Sequence, residues 1–283
     1  MAIDYNSLKK ITSASIVDGS IVADDIAAGN VTANEIGNTQ ISSAKMATSA
    51  VDLGANTVTG TLPVSKGGIG TTNPFGGAYQ TLISNGSAIT TKQHGIYGMQ
   101  AFTGSGTWTR PANVRFIKVQ LVGGGGAGSG HGESGGAGGY SERVLDVTGI
   151  GSVGVTIGGE VGGSYYSGAG GNGNASSFGS YLSAGAGYGA NRNNQHSGGL
   201  GGNGSGGNVN IYGGGGANHH QRAGIGGSSF WGGTVAGGHP QGGNFSHNHQ
   251  SHSAPGSGGA GGYFHNHLGS NGRPGYCLVT MYY

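Results

Sequence analysis

Two copies of a His-Asn-His triplet stand out as candidate chemistry. One is "FSHNHQSHSAP", with Phe245, His247, His249 and His252; the other is "YFHNHLG", with Tyr263, Phe264, His265 and His267. In an extended segment, residues two apart point the same way about 7 Å apart. His247 with His249, and His265 with His267, are therefore paired imidazoles. Three uses fit that spacing: a transition-metal site, a solvated loop, or a surface that recognises a partner. Several chains meeting on one axis would bring enough imidazoles together for an octahedral ion. The surroundings favour recognition. Further large side chains interrupt the glycine-rich C-terminal part in the same manner: Tyr188, Arg192 and His196; Tyr212; His219, His220 and Arg222; Phe230 and Trp231. Aromatics supply contact area at low entropic cost, and amides and imidazoles supply adaptable hydrogen bonds. These seventeen residues, Phe245 to His267 included, form the expected binding set, with metal at His247, His249, His265 and His267 as the weaker alternative and no cofactor otherwise.

Enzymatic readings fare poorly. After Val122 the carboxylates are Glu133, Glu142, Asp146 and Glu160, few for a glycosidase pair. There is no GxSxG elbow, and the "GGGG" at Gly123 is not followed by the G-K-[ST] of a phosphate loop. A three-letter HNH lacks the context of a nuclease. The expectation is a binding protein, not an enzyme.

Composition narrows the class. Of 283 residues 69 are glycine, only 8% are charged, and the net charge is +2 with the 12 basic residues scattered. A nucleic-acid partner would call for clustered Lys and Arg. No apolar run approaches the ~20 residues of a membrane span, and "MAIDYNSLKK" carries no signal-peptide core. The single cysteine, Cys277, excludes a disulfide framework and fits synthesis in a reducing cytosol.

Three zones must position the candidates. In residues 1–53 an apolar residue recurs every fifth position: Ile11, Ile16, Ile21, Ile26, Val31, Ile36, Ile41, Met46, Val51. Five matches neither the strand nor the helix period, so each unit turns a corner. A single-chain solenoid or several chains around a shared axis satisfies this; the thin core of the former favours the latter. Residues 54–100 are dense in turn chemistry. Residues 101–283 hold the glycines, with strands expected at "VRFIKVQLV", buried on both faces, at both sides of "TGIG" within "YSERVLDVTGIGSVGVTIGG", and at "GYCLVTMYY". The glycines follow local rows three apart: Gly198, Gly201, Gly204 and Gly207; Gly199 and Gly202; Gly256, Gly259 and Gly262; Gly135 and Gly138. No single G-X-Y register runs through them, so collagen is excluded. Three residues per turn is the polyproline-II period, and its amides must find partners on neighbouring segments. Short polyglycine helices stacked side by side on a β framework are expected.

"GTLPVSKGGIGTTN" resembles the collar motif of bacteriophage tail fibres, and the preceding "DGSIVADDIAAGNVTANEIG" resembles their shaft repeats. The combination of "WTRP", the apolar strand ending in GGGG, "GGAGGYSERVLDV" and the closing strand is similar to the glycine-rich domain of such fibres. The resemblance implies a mainly β protein: an N-terminal fibre shaft (1–53), a collar and linker (54–100), and a sandwich-like head with inserted polyglycine II helices (101–283), intertwined as a homotrimer. It implies a virion component, assembled in the host cytoplasm, held by tail or baseplate proteins at its N-terminus and gripping a bacterial surface glycan or outer-membrane protein through head loops, without nucleic acid or membrane insertion. Some long tail fibres hold iron through HxH motifs, but in thin needles rather than in a glycine-rich head. The competing class is a structural or ice-binding polyglycine protein, whose face would need small, regular side chains rather than Trp231 and paired histidines.

Overall fold

The computed structural model describes residues 17–28, 30, 80–84, 89–165, 168–191, 197–218, 223–233, 254–263 and 267–283. The chain divides into two units, 1–72 and 73–283. In the first, the described residues hold one short 3-10 turn, Ala23–Asp25, whose entry is tied by the Val22 amide donating to Asp25 Oδ2 at 2.9 Å. Ile21 and Ile26, two members of the five-residue repeat, are 55% and 45% exposed.

The second unit is mainly β, with almost no helix and with open sheets. A hairpin of β1 (Gln80–Ser84) and β2 (Ile89–Gln93) stands by itself. Two five-stranded antiparallel sheets follow. The first has the order β11-β6-β5-β12-β3, and the second β10-β9-β8-β7-β4. In the first sheet β5 (Phe116–Val122) is central, flanked by β6 (Tyr140–Asp146) and by the closing strand β12 (Tyr276–Tyr282), with β3 (Ile96–Phe102) and β11 (Val209–Ile211) at the edges. The second sheet comprises β4 (Gly106–Thr109), β7 (Ser152–Thr156), β8 (Ser176–Phe178), β9 (Leu182–Ala184) and β10 (Gly204–Ser205). Alternation explains which faces meet. Ile117, Val119 and Leu121 from β5, with Cys277, Val279 and Met281 from β12, join Trp108, Val153, Val155, Phe178 and Leu182 from the other sheet in one core. Trp108 and Phe178 tilt together at 5.9 Å between ring centroids. Burial pushes the Cys277 thiol up to about 12, so this cysteine is a packing residue rather than a nucleophile.

Two expectations are refined here. Strand β5 is fully buried on one face; on the other Phe116, Lys118 and Gln120 are half-buried and Val122 is buried. Strands β6 and β7 do flank "TGIG", but in different sheets, so that turn carries the chain from one sheet to the other.

The glycine-rich connections form a second layer of order. Residues 123–128 and 134–139 are buried throughout. Their amides are donated with period three. Gly124 and Ala127 donate to Asn174 and Gly171; Gly125 and Gly128 to Arg273 and Ser270; Gly123 and Gly126 to Gly139 and Gly136. In the second segment Ser134 and Ala137 donate to Ala217 and Gly214, Gly135 and Gly138 to Gly259 and Gly256, and Gly136 and Gly139 to Tyr188 and Gly185. A helix with three residues per turn points its N–H groups in three directions 120° apart and receives from three others, so each such helix has room for six neighbours. The first segment receives from Ser164, Gly187, Ala190 and Gly259, and the second from Gly126, Gly199, Gly202 and Gly227. Both therefore have six neighbouring segments, the two-dimensional lattice expected of packed polyglycine II.

Glycine is required there by proximity. A Cβ on Gly126 would sit 2.1 Å from the Tyr188 carbonyl oxygen, and one on Gly135 2.0 Å from that of Gly126. The outer segments expose every third residue and cover the two between wholly or in part. Exposed pairs three apart are Ala169 and Asn172, Tyr188 and Asn191, Leu200 and Asn203, Tyr212 and Gly215, Ile225 and Ser228.

Candidate functional site

Period three decides which large side chains the scaffold can present. A residue other than glycine fits a lattice segment where its position faces out, and Tyr188 and Tyr212 occupy such positions, 55% and 76% exposed. Their segments are separated by one more: Tyr188 N donates to Leu200 O, and Gly213 N donates to Gly202 O. Together they border a groove of about 500 Å³, floored by glycine backbone and walled by Asn172 and Asn203. Asn172 Oδ1 accepts from the Gly189 amide at 2.8 Å, which fixes the carboxamide and leaves its NH₂ group as a donor. Among the described residues no charged side chain lines the groove.

Phe230 and Trp231 lie on a turn closed by reciprocal Ser229 and Gly232 backbone bonds. Phe230 stacks on Tyr140 at 3.7 Å between centroids, 16° from parallel, and remains half-exposed. Trp231 meets Tyr276 edge-on at 4.9 Å. Both anchor the turn to the outer face of the first sheet, a packing role that composition alone did not reveal.

Beneath Phe230 is a polar cluster. Tyr140 Oη donates to Glu142 Oε2 at 2.6 Å, Gln120 Nε2 donates to both, and Lys118 Nζ lies 3.1 Å from the same carboxylate oxygen. Burial, reinforced by the bond to Glu142, pushes the Tyr140 hydroxyl well above the usual tyrosine range. Burial opposes ionisation of Glu142, but the bonds from Tyr140 and Lys118 outweigh it and hold its carboxyl below the usual range. The native state therefore keeps a proton on Tyr140 that the unfolded chain releases above about pH 10. The resulting stability is complete below that pH and is lost as pH rises beyond it, at up to about 1.4 kcal/mol per pH unit. Thermal melts from pH 8 to 11.5 should show a falling midpoint above pH 10. The fall should be shallower in Tyr140→Phe by one proton's worth.

One cluster has no forerunner in the sequence reading. The turn between the two central glycine segments buries Ser129, His131 and Glu133, each 2% exposed or less. Ser129 Oγ donates to Glu133 Oε2 at 2.5 Å, and His131 Nδ1 lies 4.0 Å from Glu133 Oε1. The order of contacts is not that of a hydrolase triad, because the serine bonds the acid and not the imidazole. Its effect is to tie the turn: a buried carboxylate keeps its neighbours in place because separating them would leave it unpaired. The spacing S-x-H-x-E was visible, but nothing in it indicates burial.

Of the remaining expected residues, Tyr263 and His267 are half-buried. Arg192, His196, His219, His220, Arg222, Phe245, His247, His249, His252, Phe264 and His265 lie outside the described residues. Among the described residues no three of His, Cys, Asp or Glu gather where they could hold a metal ion, and no helix is long and apolar enough to cross a membrane.

No curated protein matches this chain. A family model described as a glycine-rich domain matches residues 100–282, the span that holds the lattice of glycine segments and the two five-stranded sheets apart from the start of β3. By that match, which covers more than half its length, the chain belongs to the glycine-rich domain family.

Proposed function

We propose that this protein is a bacteriophage tail fibre that attaches to the virion through its N-terminal part and binds a host-cell surface receptor through side chains displayed on the glycine-rich head. The observation that carries the reading is the contrast between scaffold and display. The central segments are buried and hydrogen-bonded on every side, while outward positions carry Tyr188, Leu200 and Tyr212. A rigid framework that spends no side chains on its own packing can vary its surface residues freely, as binding loops on other scaffolds do. Tyr188, Leu200, Tyr212 and Ile225 are large side chains among the outward positions, which disfavours the small, regular face of an ice-binding protein.

The homotrimeric shaft belongs to the same reading. Ile21 and Ile26 are exposed within one chain, a poor arrangement for apolar residues repeated at a fixed interval unless further chains cover them. The virion partner at the N-terminus and the trimer follow from the resemblance of residues 18–73 to shaft and collar motifs.

Adsorption of the full-length chain to a panel of bacterial strains is the test. Saturable binding to some strains and not others, with protection of those strains from a phage, is expected. Absence of binding, or equal binding to all, would remove the receptor role.

A further inference from the structure

We infer that the groove between Tyr188 and Tyr212 is a binding site for an uncharged carbohydrate. The inference rests on the receptor-binding reading and narrows the receptor class at one site from glycan or protein to a neutral glycan.

The groove's chemistry is the reason. A pyranose ring has apolar C–H faces and a rim of hydroxyls. Its faces pack on aromatic rings, and its rim exchanges hydrogen bonds with amides and carbonyls. Tyr188 and Tyr212 provide two exposed aromatic side chains in the lining, on segments separated by the 198–203 segment. Asn172 and Asn203 provide carboxamides on the walls, and Asn172 is already oriented by the bond to Gly189 N. Backbone carbonyls of the floor, each with a second lone pair, provide further acceptors. A volume of about 500 Å³ lies within the range of small-molecule sites.

The floor is also held fixed. A Cβ on Gly187 would sit 2.0 Å from the Gly136 carbonyl oxygen, and one on Gly202 2.3 Å from that of Gly185. The site therefore pays little ordering entropy on binding, a condition that favours weak, repeated units such as sugars. The described lining residues are all uncharged, which argues against sialic acids, uronic acids and phosphorylated sugars, since these would be desolvated there without a counter-charge. A protein loop is the less suitable occupant, because specific protein interfaces bury about 800 Å² per partner, far more than this groove offers.

The test uses the full-length chain in two arms. In the first, binding is measured to arrayed neutral oligosaccharides of hexoses and N-acetylhexosamines. Wild type should bind at least one of them. Tyr188→Ala combined with Tyr212→Ala should weaken that binding at least about tenfold, with the melting temperature unchanged. The Tyr188→Phe, Tyr212→Phe pair, which keeps the rings, should bind within about threefold of wild type. Tyr165→Ala, a surface tyrosine outside the groove, should bind as wild type does. In the second arm, adsorption to bacterial cells is compared before and after periodate oxidation, which cleaves vicinal diols of sugars. If cells adsorb the protein, no array sugar binds, and adsorption survives periodate but not protease, the groove proposal is overturned while the receptor reading stands. If array binding depends on the two tyrosines but no cell adsorbs the protein, the groove stands and the receptor reading falls. Array binding indifferent to both alanine substitutions overturns the groove proposal outright.

Discussion

Gly126→Val should leave the glycine-rich head unfolded. The valine Cβ would lie 2.1 Å from the Tyr188 carbonyl oxygen and 2.2 Å from its carbon, well inside any contact distance. Ordinary overpacking costs about 1–3 kcal/mol because side chains and helices can shift. Here the obstruction is backbone, and that backbone is hydrogen-bonded in turn: Gly136 N donates to the same Tyr188 oxygen, and Tyr188 N donates to Leu200 O. Relief at one contact therefore breaks bonds in the next segments. The cost should exceed about 5 kcal/mol, comparable to the whole stability of a typical domain. Gly162→Ala is the control. It too belongs to a glycine-rich segment, but a Cβ there meets nothing within 4 Å. Alanine at such a site reduces the freedom of the unfolded chain and should be neutral or stabilising by about 0.4–1 kcal/mol. Gly201→Val, with a Cβ 1.8 Å from the Gly213 carbonyl oxygen, should behave like Gly126→Val, whereas Ser205→Val, exposed on β10, should cost little. Circular dichroism melts of the four variants check this; equal midpoints for Gly126→Val and Gly162→Ala would refute the lattice.

Ile21→Asp with Ile26→Asp should dissociate the proposed trimer. If three chains share an axis through the five-residue repeat, the double variant places six carboxylates in an apolar core. Each is a charge whose burial without a partner costs several kcal/mol. Loss of assembly is then expected, with the monomeric head still folded because its core and lattice lie in residues 73–283. Sedimentation velocity reads the outcome. A trimer that survives both substitutions would show that these isoleucines do not face a common core, leaving a single-chain solenoid.

Much of the architecture could be read from residue patterns. The alternation of "FIKVQLV" and the β-branched, aromatic run of "YCLVTMYY" marked two strands that prove to be neighbours. Rows of glycine three apart marked the polyglycine helices, because close packing leaves that period in the sequence. The row Gly198, Gly201, Gly204, Gly207 was read too long, since Gly204 already belongs to β10. Which segments adjoin which was not legible at all. One glycine segment carries no side-chain label that distinguishes it from another, so neighbour order is decided by where the strands between them pair. The same limit hid the groove. The sequence marks Tyr188 and Tyr212 as candidate binding residues, but their sharing of a site depends on the 198–203 segment lying between them. Phe230 and Trp231 were read as display residues, and their anchoring on Tyr140 and Tyr276 depends on sheet partners distant in sequence. The buried tie of Ser129 and Glu133 depends likewise on the surrounding lattice.

The most direct measurement is cell adsorption by a variant in which Phe245, His247, His249, Tyr263, His265 and His267 are all serine. Display side chains on a rigid framework contribute to contact with a partner and little to the core. Adsorption to susceptible bacteria should be lost, while sedimentation and the melting curve match wild type. A histidine metal centre would give the opposite pattern: the substitutions, or a strong chelator, would lower the melting temperature, because metal binding free energy is folding free energy. Undiminished adsorption by the serine variant, or adsorption lost only together with the fold, would contradict recognition by these side chains.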